Sequence, residues 1–202
     1  MSIVKDTSLF RSQAYINGEW VTPLGKDRLG VENPATEEIV TDIALGSMAD
    51  ADRAIAAARA AFDGFTETPV AERIALLERI LVEYDARAED FAQAMRMEMG
   101  APITMARDAQ ADAAIGHLQG FIDALETMTE RTVLPNGDVL LREPIGVCGL
   151  ITPWNWPMNQ IALKVIPALA TGCTCVLKPS EHTPISAMIY AEIIHKAGYP
   201  AG

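Results

Sequence analysis

The sequence predicts an α/β fold, on three observations. Asn-Gly pairs interrupt two short β-favouring stretches, at Asn17-Gly18 and Asn136-Gly137. Between them runs a long block of helical periodicity. Beyond residue 146 the pattern becomes strand, helix, strand, helix, with each strand a continuous apolar run. Such a βαβ unit implies parallel strands joined by a right-handed crossover.

The elements follow in order. Tyr15-Ile16-Asn17-Gly18-Glu19-Trp20-Val21 sets Asn-Gly between β-favouring pairs, a type I′ hairpin signal. Asn33-Pro34 marks a turn, and residues 38–44 read as a further strand. Ser47 with Asp50 three positions on forms a capping box. Ala51, Ile55, Ala58 and Phe62 then recur on one helical face. Thr68-Pro69 places a cap before an N1 proline, and Val70, Ile74, Leu77, Leu81 and Tyr84 form the stripe that follows. A third helix over 86–99 is stopped by Gly100 and Pro102. A fourth, over 103–128, carries Ile115, Leu118, Ile122 and Leu125. Met95, Met97 and Met99 read as adaptable packing.

Residues 133–141 form the second Asn-Gly hairpin, with Pro135 marking an exposed edge. Residues 147–152 are an apolar run typical of a strand buried on both faces. A loop follows over 153–157, then a helix over 158–171, bent by Pro167 and ended by Gly172. Residues 175–178 read as a second buried strand, and Thr183-Pro184 opens a helix that stops at Gly198. Two parallel strands are too few for a doubly wound sheet, which buries both faces and has about five. The sequence is expected to stop in the middle of a domain.

Composition narrows the function. A net charge of −11 offers no basic face for phosphate neutralisation, so no nucleic-acid partner is expected. No apolar run approaches the roughly 18 residues of a membrane span, and the first 13 residues lack a secretory pattern. The expected compartment is the cytoplasm. Three cysteines, an odd count, fit a reducing environment. Cys173 and Cys175 have no companion pair for zinc, so no metal is expected; they read as buried small hydrophobes on opposite strand faces.

Ligands of open α/β sheets bind beyond the carboxyl ends of the strands. Thr152-Pro153-Trp154-Asn155-Trp156-Pro157 and Lys178-Pro179-Ser180-Glu181 fall there. A carboxylate just past the second strand sits where dinucleotide folds read ribose hydroxyls. The first loop lacks Gly-x-Gly-x-x-Gly, however, so the standard pyrophosphate fingerprint is missing.

Several segments together resemble the aldehyde dehydrogenase superfamily. They are Arg142-Glu143-Pro144-Ile145-Gly146-Val147-Cys148-Gly149, the Pro-Trp-Asn-Trp-Pro loop, Pro167-Ala168-Leu169-Ala170-Thr171-Gly172 and Leu177-Lys178-Pro179-Ser180-Glu181-His182-Thr183-Pro184. Ile16-Asn17-Gly18-Glu19-Trp20 and Asn33-Pro34-Ala35-Thr36 agree. The resemblance implies that residues 1–202 are an incomplete amino-terminal portion of a Rossmann-like cofactor domain, stopping before the catalytic domain. It implies aldehyde oxidation to a carboxylic acid with NAD as hydride acceptor. It implies that Asn155 donates to the oxyanion and that Lys164 serves a proton relay. By the same resemblance Ile151, Thr152, Pro153 and Trp154 line the nicotinamide half, while Lys178, Pro179, Ser180 and Glu181 meet the adenosine ribose. Trp156, Gln160 and Leu163 wall the aldehyde tunnel, and 133–141 is an oligomerisation hairpin of a homodimer or homotetramer.

The family's Gly-Gln-x-Cys, Glu-Leu-Gly-Gly-Lys and Gly-Ser-Thr-x-x-Gly strings do not occur here, so nucleophile, general base and pyrophosphate turn are missing. This chain alone is therefore expected to be inactive. The competing reading is a natural short protein that binds nucleotide or full-length subunits without catalysis.

Overall fold

The computed structural model describes residues 12–202, so the sequence reading of the first residues lies outside it. Strands β1 (Ala14–Ile16) and β2 (Glu19–Val21) pair antiparallel around Asn17 and Gly18. Both turn residues have positive φ, 54° and 77°, as a type I′ turn requires. Strand β4 (Glu38–Ala44) pairs antiparallel with β3 (Arg28–Asn33), which the sequence reading missed. Gly30 in its middle weakens its strand propensity, and pairing with β4 supplies the order that local preference does not.

Helix α1 (Met48–Phe65) starts at the expected capping box of Ser47 and Asp50. Its buried residues are Asp50, Ala58 and Phe65, so the packed face is rotated from the expected stripe and Ile55 is half exposed. Helix α2 (Val70–Asp85) corrects a second expectation. Pro69 is its cap residue, its carbonyl accepting from the amides of Glu72 and Arg73, and Thr68 makes no side-chain cap. Its most buried face is Arg73, Leu76, Leu77, Ile80 and Tyr84.

Helix α3 (Ala88–Glu98) ends at Gly100, whose φ is +74°. A Cβ there would stand 2.7 Å from Pro34 Cγ, so two reasons demand glycine. The expected fourth helix is broken into α4 (Ile103–Met105), a π-helical stretch over Ala106–Ala111, and α5 (Asp112–Thr127). Periodicity cannot show such a widened turn, which is fixed from outside: Tyr84 Oη donates to the Ala111 carbonyl at 3.1 Å. Tyr84 also stacks on Phe91 at 4.2 Å and meets Tyr190 edge-on. All three rings are buried in the core shared by α2, α3, α5 and the two later helices.

Strands β5 (Arg131–Val133) and β6 (Val139–Leu141) form the second hairpin. Its turn differs in kind from the first. Gly137 N–H bonds the Leu134 carbonyl, and of the central residues only Gly137 has positive φ. Pro135 holds the second turn position near φ −65°, which selects a type I turn with a glycine bulge over type I′.

Strands β7 (Val147–Ile151) and β8 (Thr174–Lys178) pair parallel, joined by α6 (Pro157–Ala170), and α7 (Pro184–Lys196) follows. The expectation of burial on both faces fails. Ile151 is 73% exposed, because α1 and α6 reach only part of a two-stranded sheet. Helix α6 runs on past Pro167. Gly172, at φ +81°, ends it with its N–H bonded to the Leu169 carbonyl, while Cys173 N–H reaches that of Ala168, a Schellman arrangement. The cysteine reading is corrected too. Cys173 precedes β8, residues two apart on a strand share a face, and Cys148 lies beside both Cys173 and Cys175. Among the described residues, no helix is long and apolar enough to cross a membrane.

Candidate functional site

The register of β7 on β8 builds the site. Ile151 lies opposite Lys178, and the Thr152 N–H reaches the Lys178 carbonyl at 3.3 Å. The two strands therefore end together, and the loops that leave them start side by side.

In the first loop Thr152 is buried, while Ile151, Pro153, Trp154 and Asn155 face solvent. Trp156 is the cap residue of α6, and Pro157 and Met158 anchor the first turn in the core. Asn155 is thus held one residue ahead of a firmly seated helix. Its amide takes no hydrogen-bond partner among the described residues, and it is free to donate outward.

Gln160 lies four residues after Trp156, and Leu163 and Lys164 lie three and four after Gln160, so all four lie along one side of α6. The opposite side, from Met158 through Ile161 and Val165 to Leu169, is buried. Leu163 is 41% exposed, and Lys164 Nζ donates to Gln160 Oε1 at 3.4 Å. One neighbour escaped the sequence reading. His117 on α5 shares a 2.8 Å hydrogen bond with Asn159 Oδ1, tying the two helices beside this face.

In the second loop Lys178 Nζ pairs with Glu181 Oε2 at 2.6 Å, both groups open to solvent. The Lys178 ammonium, followed by Glu181's own amide, holds the Glu181 carboxyl below the usual carboxylate range. An exposed pair of this kind contributes little to stability. Pro179 is half-buried. Ser180 is buried, its hydroxyl accepting from His182 N–H at 3.2 Å and its carbonyl from Thr183 N–H. Ser180 thus shapes the turn with its side chain and offers a ligand only its backbone.

Glu98 was also missed. It is the last residue of α3 and is 3% exposed, yet its carboxylate accepts from Ile185 N–H at 2.5 Å and Ser186 N–H at 3.1 Å, in the first turn of α7. Burial pushes it up to about 7, against the pull of the Ser186 and Ile185 donors. A single glutamate among helical residues offers no sequence signal for this.

The cysteines offer no activated thiolate. Burial, then the neighbouring Cys173, raises the Cys148 thiol, and burial pushes Cys175 up to about 12. Cys173 is 2% exposed. Among the described residues, no group of three or more His, Cys, Asp or Glu side chains could hold a metal ion. A shallow open depression lined by Phe62, Glu67, Glu130 and Arg142 touches neither strand end and belongs to no part of this site.

A parallel strand pair with a loop leaving each carboxyl end is the arrangement at which open α/β sheets take ligands. The chain belongs to the aldehyde dehydrogenase family, which it matches over residues 20–202. It is 48% identical over 189 residues to a 3-succinoylsemialdehyde-pyridine dehydrogenase of a Pseudomonas species, covering 93% of this chain and 39% of that one. A crystal structure of a mutant aldehyde dehydrogenase C from Pseudomonas syringae, with NAD+ and octanal, superposes with a TM-score of 0.93 at 48% identity. That match covers 97% of this chain and 40% of the other. A betaine aldehyde dehydrogenase variant from Staphylococcus aureus, solved with NAD+, gives 0.88 at 30% identity over 94% of this chain and 39% of its own. The chain thus spans about 40% of the length of the relatives it matches.

Proposed function

We propose that this chain forms the cofactor side of an NAD-dependent aldehyde dehydrogenase, as the opening part of a Rossmann-like domain. One observation carries the reading: the β7–β8 register ends the two strands together, so the loop that carries Asn155 and the loop that carries Lys178 and Glu181 leave the sheet side by side. NAD, the cofactor present in the similar structures from Pseudomonas syringae and Staphylococcus aureus, would supply hydride acceptance when bound. The residues suit it. Lys178 donates and Glu181 accepts, which matches a ribose diol, and an ionised Glu181 repels a 2′-phosphate and so favours NAD over NADP. The exposed run of Ile151, Pro153 and Trp154, with the backbone of Thr152, lines the nicotinamide half. Pro179 and the Ser180 backbone complete the ribose turn.

Asn155 would donate to the oxygen of the aldehyde as negative charge develops there. A fixed neutral donor is most effective in that role. Trp156, Gln160 and Leu163 would wall the substrate path, with Lys164 reaching over Gln160 toward a proton relay. The exposed Val133, Val139 and Leu141 support a hairpin that pairs with a second copy, giving a dimer or tetramer of the intact enzyme.

This chain alone would not oxidise aldehydes, since its thiols are buried or held neutral and none can attack a carbonyl. The test is NADH formation with several aldehydes. The purified chain should give none. The intact enzyme, carrying the family's cysteine segment as well, should give a steady rate with NAD. Activity of the chain that disappears on replacing Cys148, Cys173 or Cys175 would overturn the reading, as would an intact enzyme without NAD-linked oxidation.

A further inference from the structure

Glu98 sits where a carboxylate has no local reason to be. It ends α3, where the helix dipole places partial negative charge, and it is buried where ionisation is costly. What it does have is the start of another helix. The Ile185 and Ser186 amides are among the first-turn donors of α7 that have no partner inside that helix. The residue expected to serve them, Thr183, makes no side-chain cap, with φ −132° and ψ 61°. The Ser186 hydroxyl lies beside the carboxylate without a well-formed bond of its own.

The position matters because of what precedes α7. Only His182 and Thr183 separate the loop of Lys178 and Glu181 from Pro184, where the helix begins. Ser180 and Thr183 are buried and bonded to one another through the backbone, so the turn is rigidly joined to the helix start. The direction of α7 therefore sets the place of Glu181. Two residues beyond Glu98 the backbone of Gly100 lies close against Pro34, which holds this same end of α3.

We infer that Glu98 is a positioning residue for cofactor binding: it caps α7 from α3 and so fixes the loop that carries Lys178 and Glu181. The inference rests on the ribose role proposed for that loop. The side chain need not touch the cofactor. It supplies the acceptor that a local cap residue would normally provide, and it makes the loop geometry depend on the packing of α3 against α7.

The experiment compares wild type, Glu98→Gln, and Glu98→Gln combined with Thr183→Asp, all in the intact enzyme. Gln keeps the size but replaces one acceptor oxygen with a donor that faces an N–H. Hydrogen exchange should show protection lost at Ile185 and Ser186, with α2 and α5 unchanged. NAD affinity by calorimetry should fall about tenfold, the size of one lost cap, and the preference for NAD over NADP should narrow. Thr183→Asp supplies a local acceptor and should restore all three. If Glu98→Gln does not fold, Glu98→Asp, one methylene shorter, replaces it with smaller effects expected in the same direction.

Unchanged protection at Ile185 and Ser186 would overturn the cap. Lost protection with unchanged NAD affinity and selectivity would overturn the positioning role. A wild type that binds no NAD would overturn the proposed function and this role with it, whereas wild-type binding matched by the variant overturns this role alone.

Discussion

Asn155 and Glu181 divide the proposed chemistry between them, and each can be tested alone. The Asn155 amide is exposed, rigidly based and without a structural bond among the described residues. In the intact enzyme, Asn155→Ala is expected to lower kcat by about 100- to 1000-fold, the loss of one oxyanion donor, about 2.7–4 kcal/mol. The KM for NAD should stay within a few-fold, and a steady-state titration reads both. Glu181 is held ionised by Lys178, so it meets a 2′-phosphate as a full negative charge. Glu181→Ser should raise kcat/KM with NADP relative to NAD. A wild type that already uses both cofactors equally would defeat the assignment. The exposed Lys178–Glu181 pair contributes little to stability, so this variant should unfold close to wild type.

The elements that hold these residues depend on how the helices end and begin. Helix α6 stops at Gly172 in the left-handed region, and β8 starts two residues later. A Cβ on Gly172 would stand 3.0 Å from Pro144 Cγ and 3.4 Å from Arg73 Nη1. Gly172→Ala is expected to destabilise the chain by about 1–3 kcal/mol, through backbone strain and crowding together, measured by urea denaturation. Much of this layer was legible in the sequence. The capping box at Ser47, the type I′ turn at Asn17-Gly18 and the stop at Gly172 are local rules, enforced by the nearest few residues. The rotated faces of α1 and α2 and the π-helical stretch after Met105 answer to partners distant in sequence. Strand β3 differs: its partner β4 is its hairpin neighbour, and only the pairing overrides the weak strand preference around Gly30. Helical spacing shows that a face is apolar; which part of it is covered depends on where the neighbours lie.

At the scale of the molecule, two buried carboxylates give stability opposite dependences on pH. Asp50 accepts from the amides of Leu24, Ser47 and Gly25, which hold it far below the usual carboxylate range. Its contribution is present above the ordinary Asp range and is lost as pH falls below it. Glu98 is raised from 4.5 to about 7. Between those values the folded chain keeps a proton that the unfolded chain has released, so stability falls as pH rises through that window. The full change is about 3 kcal/mol from the size of the shift. Thermal unfolding from pH 5 to pH 8 should show wild type losing ground against Glu98→Gln. A difference that stays flat across the window would show that Glu98 does not keep its proton in the fold.

By itself the sequence determined the α/β class, the parallel βαβ order, the loops that flank the strand ends and the family to which those loops belong. Each is written in contiguous residues: apolar runs, Asn-Gly and Gly stops, and the Pro-Trp-Asn-Trp-Pro and Lys-Pro-Ser-Glu strings. Only the tertiary structure decided that Asn155 keeps its amide unpaired and that the three thiols gather without an activating partner among the described residues, and that Ser180 turns its hydroxyl inward. It alone brought Glu98 to the start of α7, 87 and 88 positions along the chain from the amides it accepts. The physical reason is common to all of these. Whether a polar group is paired, buried or charged depends on the groups that packing brings against it, and nearby residues in the sequence do not record that packing.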